Sequence, residues 1–341
     1  MQILITGGAG FIGSHLGEEL IQRGHTVHAL DDLSTGSMAN IRPLRDESRF
    51  SYTIDSCHDS RVVAELVDDA DYIYHLAAAV GVQLIVDSPV RTLETNVHCT
   101  EIVLAQANKK RKPVFVASTS EVYGKSSSLP FHEDGDIVMG ATIRGRWAYA
   151  CSKALDEFLA IAYYRERGLP TIIARMFNTV GPRQTGRYGM VVPTFVRQAL
   201  AGQPITVFGS GEQQRCFCHV RDVVRGLADL ATRDDLYGEV FNIGSTEEVS
   251  MLELATRVKE ATQSNSEIVL IPYEEAYGEG FEDMRRRVPD LGKIQTALGW
   301  QPTAGLDEIL AEVIQHQIAG GASGAWVREG SPVGLPGNAG R

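Results

Sequence analysis

A tyrosine and a lysine stand four residues apart in the segment RGRWAYACSKALDEFLA, and together they could move a proton. The pair is Tyr149 and Lys153, in a stretch whose apolar residues recur at helical spacing. Because positions i and i+4 share one face of a helix, the ammonium lies near the phenol. A neighbouring cation favours the phenolate and lowers its pKa from about 10. The pair predicts a base that deprotonates an alcohol, although an exposed surface pair gives the same spacing.

Four polar residues follow a short apolar run upstream of this pair. Residues 114–117 have the length and the β-branched composition of a buried parallel strand. The polar residues after it are Ser118, Thr119, Ser120 and Glu121. The Thr119 hydroxyl can hold a substrate alcohol against Tyr149 while the hydride of that alcohol leaves for a nicotinamide. The two segments together predict the catalytic centre of a dehydrogenation.

The elements that position these groups begin with a strand, a glycine turn and a helix. Gln2–Thr6 is apolar and β-branched, GGAGFIG follows at once, and an amphipathic segment then runs to Gly24. This order is the context of a dinucleotide-binding fingerprint. In that fingerprint Gly7 permits the tight turn, Gly10 lets the backbone approach the pyrophosphate, and Gly13 allows close helix–strand packing. The helix N-terminus then offers its N–H groups to the phosphates.

Acidic residues at the ends of the next two strands indicate which dinucleotide binds. Residues 26–30 read as the second strand and end in Asp31 and Asp32, where an acid accepts from the adenosine ribose hydroxyls. An acid there selects NAD, because it would repel the additional phosphate of NADP. Asp55 ends the third strand and is placed to accept from the adenine amino group. The predicted cofactor is NAD.

Strand and helix patterns keep alternating, which predicts an α/β fold with a doubly wound parallel sheet of the Rossmann type. We expect the NAD-binding domain over residues 1–178, with later segments near 216–243 returning to it. A smaller C-terminal substrate-binding α/β region is expected over 179–320. Residues 321–341 are rich in Gly, Ser and Pro and predict a flexible tail. His75, among apolar neighbours, is interpreted as a core histidine rather than a catalyst.

Composition narrows the class of protein and its partners. The 341 residues are 43% hydrophobic and carry a formal net charge of −11, which favours a large core and argues against a nucleic-acid partner. No run approaches the length of a membrane span, and no signal sequence precedes the first strand. Cys216 and Cys218 lack the spacing and the histidine partners of a zinc site. We therefore expect a cytoplasmic protein with reduced cysteines, no metal and no membrane association.

Taken together, the motifs resemble those of extended short-chain dehydrogenases/reductases, the NAD-dependent epimerases and dehydratases of nucleotide sugars. The resemblance runs from residue 6 to residue 303. It rests on TGGAGFIG (6–13), DDLSTG (31–36), HLAAA (75–79), STSEVYG (118–124), YACSK (149–153), FNTVGPR (177–183), GEQQRCFCHVRDV (211–223) and LGWQPT (298–303). It implies that region 179–320 binds mainly the nucleotide sugar and that the protein forms a homodimer through a four-helix bundle.

The same resemblance implies a role for individual residues. The catalytic residues would be Thr119, Glu121, Tyr149, Lys153 and Arg287. The NAD-binding residues would be Gly7, Gly10, Phe11, Ile12, Gly13, Asp31, Asp32, Ser34, Gly36, Asp55, Ser56, Leu76, Ala77, Ala78, Asn96, Ser118, Tyr149, Lys153 and Val180. The substrate-binding residues would be Ser120, Arg146, Asn178, Val192, Thr206, Phe208, Arg215 and Arg287, with Asn178 and Arg215 at the phosphates.

Within this family, one acidic position separates the reactions that follow oxidation at C4 of the sugar. Dehydratases carry an adjacent Asp-Glu pair, whereas this chain has Ser120 before Glu121. STSEVYG, GRWAYACSK and YGEGFEDMRRRVPD are similar to UDP-glucuronate decarboxylases, including the decarboxylase domains of bifunctional polymyxin-resistance enzymes. By that similarity Arg287 is associated with decarboxylation and Arg146 lies near the substrate carboxylate. The resemblance thus implies conversion of UDP-glucuronate to UDP-xylose through a 4-keto intermediate.

Two other functions stay open at this stage. A 4-epimerase of UDP-hexoses or UDP-uronates would use the same Thr119, Tyr149 and Lys153, and would let the 4-keto sugar turn over before the hydride returns. A catalytically inactive NAD(H)-binding regulator would share the fold. The intact catalytic residues argue against the regulator, because a sensor has no need to keep them.

Overall fold

The computed structural model describes residues 1–81, 88–186, 189–277 and 282–322, without the side chains of the last two residues. The strands in these ranges are β1 Gln2–Thr6, β2 Thr26–Asp31, β3 Phe50–Ile54, β4 Tyr72–His75, β5 Val114–Thr119, β6 Thr171–Met176, β7 Thr179–Val180, β8 Ile205–Phe208, β9 Gln214–Cys216, β10 Cys218–His219, β11 Val240–Ile243, β12 Glu248–Ser250, β13 Ile268–Ile271 and β14 Arg286–Arg287.

Helices separate most of these strands. They are α1 Phe11–Gln22, α2 Met38–Ile41, α3 Ser60–Asp69, α4 Pro89–Lys110, α5 Ala148–Arg167, α6 Val191–Leu200, α7 Val220–Leu230, α8 Met251–Ala261, α9 Tyr273–Tyr277, α10 Gly292–Leu298 and α11 Leu306–Ala322. Short 3-10 turns at Ser120–Tyr123 and Gly145–Trp147 lie directly after β5 and directly before α5. These two turns carry several of the predicted site residues.

A seven-stranded parallel sheet forms the centre of the molecule, in the order β11-β6-β5-β4-β1-β2-β3. Its inner strands β1, β4 and β5 are almost wholly buried, as expected of strands that helices cover on both faces. The chain reverses its direction of growth between β1 and β4. In open α/β sheets, ligands bind at such a switch point, beyond the carboxyl ends of the strands. The predicted doubly wound Rossmann sheet is confirmed.

The glycine turn after β1 owes its shape to the absence of side chains. Gly7 has φ +73°, a conformation that favours glycine, and a Cβ there would lie 2.9 Å from the Ala77 nitrogen. A Cβ on Gly13 would lie 2.1 Å from the Gly7 carbonyl oxygen. The helix α1 can therefore pack directly onto the turn. Its N-cap, Gly10, places no side chain over the first N–H groups of the helix.

Three small sheets extend the C-terminal half. They pair β8 with β13, β10 with β7, and β9 with both β12 and β14. A separate apolar core forms where α6, α8 and α11 pack on these strands, around Val207, Leu254 and Ile309. In contrast, β11 joins β6 in the central sheet, and α7 packs against α1. The C-terminal half thus contributes to both cores.

His75 is a core histidine, as predicted. Its ring nitrogens lie 2.8 Å from the Thr6 hydroxyl and 3.0 Å from the Thr100 hydroxyl. Burial, together with the charge of Lys153, lowers the pKa of His75 to about 3. The imidazole is therefore neutral and serves as a hydrogen-bonding link between β4, β1 and α4.

Some predicted boundaries differ from the structure. Strand β5 extends two residues past its expected end, so that Ser118 and Thr119 belong to the strand and continue its pairing with β6. The loop-like segment after Asn178 contains the short strand β7, which pairs with β10. Helix α11 continues to Ala322, so the first two residues of the predicted tail are helical. The rest of that tail lies outside the described residues.

Other whole-chain expectations can be compared with the described ranges. In these ranges, no helix combines the length and the apolarity that crossing a lipid bilayer requires. The described residues also include no cluster of three or more histidine, cysteine, aspartate or glutamate side chains arranged to hold a metal ion. All five cysteines are free thiols; Cys151 is exposed and the other four are buried.

Candidate active site

One large cavity, of about 520 Å³, runs from the glycine turn after β1 to the strands β9 and β14. It lies at the carboxyl edge of the central sheet, over the switch point between β1 and β4. The structure brings the predicted catalytic, NAD-binding and substrate-binding residues together along its wall, with the exception of Gly36 and Asn96. Residues distant in sequence, such as Gly7, Tyr149 and Arg287, thus face one continuous space.

The two exceptions support the cavity from behind. A Cβ on Gly36 would lie 2.7 Å from the Asp31 carboxylate, so the absence of a side chain lets this loop approach Asp31 closely. Asn96 is fully buried on α4. Its amide accepts from the Ala79 backbone N–H at 2.8 Å and donates to the Ser152 hydroxyl at 3.1 Å. Asn96 therefore holds the backbone of Ala79, which lines the cavity, and Gly36 lies beside Asp31, which also lines it.

The end of the cavity near α1 fits a dinucleotide. The first residues of α1 line it, and their N–H groups carry no side-chain cap. Asp31 accepts from the Ala9 and Leu33 backbone N–H groups, at 2.9 and 2.8 Å, and so holds the glycine turn in place. Asp32 is exposed at the rim, with one carboxylate oxygen accepting from the Ser34 N–H. Its position suits recognition of a ribose diol.

The middle of the cavity contains the predicted proton-transfer group. Tyr149 and Lys153 both lie on α5 and are almost completely buried. The Thr119 hydroxyl lines the same part of the cavity, close enough to the Tyr149 phenol to lower its pKa against the larger effect of burial. Thr119 also accepts from the Glu121 N–H at 3.2 Å, which caps the 3-10 turn after β5. The end of β5 and the start of α5 therefore present a hydroxyl and a phenol side by side.

The predicted lowering of the pKa of Tyr149 does not occur in this structure. Burial raises the pKa of Tyr149, and the negative charges of Glu121 and Asp156 raise it further. The Lys153 ammonium lies 2.8 Å from the Asp156 carboxylate, so a buried anion offsets much of its charge. Asp156 was missed in the sequence, although its spacing of three residues from Lys153 on one helix is a usable signal.

Ser118 has a structural partner as well as a place in the cavity wall. Its hydroxyl donates to the Glu157 carboxylate, which also binds Arg175 through two guanidinium nitrogens. This buried network joins the end of β5 to α5 and β6. It fixes the position of α5, and hence of Tyr149, relative to the sheet edge.

The far end of the cavity holds a carboxylate between two arginines. Glu121 accepts from Arg146 Nη1 and, at 3.3 Å, from Arg287 Nη1. The second terminal nitrogen of Arg287 donates to the side-chain oxygen of Asn178, whose own amide nitrogen donates to the Cys216 carbonyl at 2.8 Å. Asn178 therefore orients Arg287 toward Glu121.

These contacts change the acidity of the groups. Burial raises the pKa of Glu121, but the charges and hydrogen bonds of Arg146 and Arg287 outweigh it and lower this pKa to about 2. Glu121 is consequently ionised at neutral pH and cannot serve there as a proton donor. Burial, followed by the charge of Arg215, lowers the pKa of Arg287 to about 10. The Arg146 and Arg287 Nε atoms are buried without a hydrogen-bond partner.

The run of three arginines, residues 285–287, divides between solvent and cavity. Arg285 and Arg286 are exposed, and Arg286 pairs with Glu248 at 2.6 Å. Arg287 points inward, because successive residues of a strand face opposite sides. Its register partner on β9 is Arg215, so two guanidiniums lie on neighbouring strands.

Three further residues of this end were missed in the sequence. Asp283, Tyr273 and Tyr277 line the cavity with the arginines. Asp283 accepts from Arg215 Nη2 at 2.8 Å and from the Tyr273 hydroxyl at 3.1 Å. Tyr273 and Tyr277 lie on a short helix, and Asp283 lies in an irregular segment. In such segments no motif or periodicity predicts which way a side chain points. The wall as a whole can bind a ligand with several negative charges next to a phenol and a threonine hydroxyl.

Comparison with known proteins identifies the family. A sequence model of the family described as GDP-mannose 4,6 dehydratase matches residues 4–313. The chain belongs to this family. The resemblance to nucleotide-sugar epimerases and dehydratases predicted from the sequence is confirmed.

Individual relatives of this dehydratase family carry more specific names. The chain is 42% identical over 314 residues to a UDP-N-acetyl-alpha-D-glucosaminuronate decarboxylase of Bacillus cytotoxicus, covering 92% of this chain and 96% of the relative. It is 37% identical over 317 residues to UDP-glucuronic acid decarboxylase 1 of Danio rerio, covering 92% of this chain and 72% of the relative. The predicted similarity to UDP-glucuronate decarboxylases is confirmed.

A solved structure of similar fold comes from an epimerase. It is the UDP-glucuronic acid 4-epimerase of Bacillus cereus, in complex with UDP-glucuronic acid and NAD. The TM-score is 0.85 and the sequence identity 27%, over 94% of this chain and 99% of the epimerase. The chain thus shares its fold with an epimerase.

Proposed function

We propose that this protein is an NAD-dependent decarboxylase of a UDP-linked uronic acid, which oxidises C4 of the sugar and converts UDP-glucuronate to UDP-xylose. The observation that carries the proposal is the buried Arg146–Glu121–Arg287 group beside Tyr149. Two guanidiniums in a cavity wall suit a sugar that brings its own carboxylate, because guanidiniums bind carboxylates with paired hydrogen bonds. Glu121 balances only one of the two positive charges, and a neutral sugar would bring no anion for the other.

The cofactor is NAD, which solved relatives of this fold contain. The open N-terminus of α1, the glycine turn and the exposed Asp32 would hold its pyrophosphate and ribose. When bound, NAD would supply the acceptor for the hydride of C4 and the donor for the final reduction. The predicted residues Phe11, Ile12, Ser34, Asp55, Ser56, Leu76, Ala77, Ala78, Ser118 and Val180 line the same space and complete the proposed NAD site.

Two side chains of this protein, those of Thr119 and Tyr149, would carry out the proton transfer at C4. Thr119 and Tyr149 would contact the C4 hydroxyl, and Tyr149 would take its proton. Since burial raises the pKa of Tyr149, the phenolate needs positive charge nearby. Lys153 supplies part of that charge from the same helix face.

Loss of carbon dioxide follows from the position of the new ketone. A carbonyl at C4 is β to the C6 carboxylate, so the C5–C6 bond can break with its electron pair entering a C4–C5 enolate. Hydrogen-bond donors such as Thr119 stabilise the enolate oxygen. Arg146 and Arg287 hold the carboxylate before the bond breaks. A proton then returns to C5, and the hydride returns to C4 to give the pentose.

The low pKa of Glu121 limits the roles that this side chain can have in the reaction. Because its pKa is about 2, it stays ionised and orients Arg146, Arg287 or a water, while the proton for C5 comes from another donor. Arg287, with a pKa near 10, is better placed to relay that proton through a water. Ser120, Asn178, Val192, Thr206, Phe208 and Arg215 line the rest of the cavity and form the proposed UDP-sugar site.

A second substrate follows from the relatives. The Bacillus cytotoxicus enzyme acts, by its name, on an N-acetylated glucuronate, and it shares more identity with this chain than the Danio rerio enzyme does. Both substrates carry the C6 carboxylate that the arginines require. They differ only at C2, so the decarboxylation chemistry is the same for both.

Products from UDP-glucuronate and UDP-N-acetylglucosaminuronate test the proposal. Purified protein is incubated with each sugar nucleotide and NAD, and the products are followed by NMR together with released CO₂. We expect CO₂ with UDP-xylose, a 4-keto-pentose or the corresponding N-acetylated product. Formation of UDP-galacturonate without CO₂ would instead establish the 4-epimerase alternative. NAD binding without turnover of uronates, UDP-glucose or UDP-galactose would favour the regulator.

We also propose that two copies associate through α4 and α5. These helices pack on each other and leave large apolar side chains exposed. The exposed fractions are 66% for Val90, 38% for Leu93, 49% for Leu155 and 64% for Phe158. Pairing with a second copy would bury this surface in a four-helix bundle. The proposed compartment is the cytoplasm, which the reduced state of the cysteines supports.

A further inference from the structure

Asp283 contacts two of the three arginines that the proposed function assigns to the substrate, Arg215 and Arg146. Its Oδ2 accepts from Arg215 Nη2 at 2.8 Å, and its Oδ1 lies 3.7 Å from Arg146 Nη2. Tyr273 donates to Oδ2 at 3.1 Å, and the Met284 N–H donates to Oδ1 at 2.8 Å. The carboxylate thus occupies, with good geometry, a place where a phosphate or a substrate carboxylate would otherwise be bound.

The charges in the cavity wall do not match the substrate while Asp283 stays there. In the ion-paired group around Glu121 and Asp283, the three guanidiniums of Arg146, Arg215 and Arg287 meet these two carboxylates. One positive charge is left over, whereas a UDP-uronate carries two negative charges on its diphosphate and a third on its carboxylate. Like charges in a partly desolvated cavity repel strongly. Binding is therefore favoured if one of the two protein carboxylates moves away.

Asp283 is the carboxylate that can leave. Glu121 follows β5 directly and receives hydrogen bonds from two arginines, Arg146 and Arg287. Asp283 lies outside regular secondary structure, before β14, and its side chain is 19% exposed against 13% for Glu121. Rotation toward solvent would cost Asp283 its ion pair with Arg215, the longer contact with Arg146 and the hydrogen bonds from Tyr273 and the Met284 N–H. The backbone hydrogen bonds of the neighbouring strands would stay intact.

We propose that Asp283 is an internal competitor for the phosphate-binding arginine, which the diphosphate of the incoming nucleotide sugar must displace. This inference rests on the proposed UDP-sugar site. It makes Asp283 a residue that sets selectivity: a ligand with a diphosphate can replace the carboxylate at Arg215, whereas an uncharged nucleoside cannot. The Asp283–Arg215 pair then lowers the affinity for every ligand that needs Arg215.

Binding of UDP, measured by calorimetry on the purified protein, tests the inference. Asp283→Asn removes the charge and keeps an oxygen that can accept from the Met284 N–H. We expect UDP to bind roughly tenfold more tightly to this variant, the effect of one charge-assisted hydrogen bond. Uridine, which has no phosphate, should bind both proteins equally. If Asp283→Asn lowers the melting temperature, Asp283→Ser removes the same charge with a smaller side chain.

Two further variants separate displacement from a general change in charge. Glu248→Gln removes an acid that pairs with the exposed Arg286 outside the cavity, and it should leave UDP binding unchanged. In an Arg215→Gln background, Asp283→Asn should give no comparable gain, because the competed partner is gone. A gain of the same size in that background would overturn the inference.

The outcomes distinguish this inference from the proposed function. Wild-type protein that binds UDP, with Asp283→Asn binding it equally or more weakly, would show that Asp283 orients Arg215 and would refute displacement alone. Wild-type protein that fails to bind UDP at all would refute the proposed UDP-sugar site and the inference with it.

Discussion

Replacing Glu121 by glutamine should separate oxidation of the substrate from loss of its carboxylate. The substitution keeps the shape of the side chain and removes the charge that lies between Arg146 and Arg287. The side chains of Tyr149 and Thr119 and the glycine turn keep their positions, and loss of the negative charge lowers the pKa of Tyr149, which favours the oxidation. We therefore expect UDP-glucuronate to reduce bound NAD⁺, seen as absorbance at 340 nm, while CO₂ release slows by about 10²-fold or more, the scale of a lost acid–base or orienting group.

The structure also gives the expected effect on stability. Burial raises the pKa of Glu121, but the two arginines lower it from 4.5 to about 2, which corresponds to roughly 3 kcal/mol of favourable interaction of the charged form. Because this pKa is lowered by folding, the stabilisation is complete above about pH 4.5 and is lost as the pH falls toward 2. Glu121→Gln should therefore be less stable at pH 7, and the difference should shrink below pH 4.5 in urea titrations.

Glu282→Gln is the matched control. Glu282 lies on the same segment as Asp283 and accepts from the Trp147 indole at 2.9 Å, but it does not line the cavity. It should keep the wild-type rate of CO₂ release. If the Glu121→Gln variant released CO₂ at the wild-type rate, a chemical role for Glu121 would be refuted. Equal losses of NAD⁺ reduction and CO₂ release would show that Glu121 only maintains the structure of the site.

Three other substitutions test separate parts of the structure. Tyr149→Phe should lower turnover by about 10²–10⁴-fold with NAD still bound, since it removes only the proton acceptor; turnover near the wild-type rate would exclude Tyr149 as the base. Phe158→Glu places a charge on a side chain of α5 that is 64% exposed, and light scattering should then show monomers. The same change at Ile143, which is 86% exposed and lies outside α4 and α5, should leave the dimer intact. A Phe158→Glu variant that remains dimeric would refute the proposed bundle. Ser250→Ala removes the hydroxyl that accepts from the Glu253 N–H at the start of α8 and should cost about 1 kcal/mol, seen as a lower melting temperature; no change would show that this cap is dispensable.

Local sequence patterns determined the cofactor end of the site. The turn after β1 has no room for side chains at Gly7 and Gly13, so the glycine motif directly predicts the close packing of this turn against α1 and the segment after β4. The same holds for the parallel strands, whose continuous apolar runs follow from burial on both faces. The spacing of Tyr149 and Lys153 placed both on one helix, as the structure confirms. In these cases the residues that cause the structure are neighbours in the chain.

The tertiary structure decided the electrostatics. Burial, followed by the negative charges of Glu121 and Asp156, raises the pKa of Tyr149, and only the packing around α5 reveals that balance. Asp283 meets Arg215 across 68 residues, and Glu121 meets Arg287 across 166. No periodicity in the sequence predicts these ion pairs, because the energy of a charged side chain depends on its burial and on partners that distant segments supply.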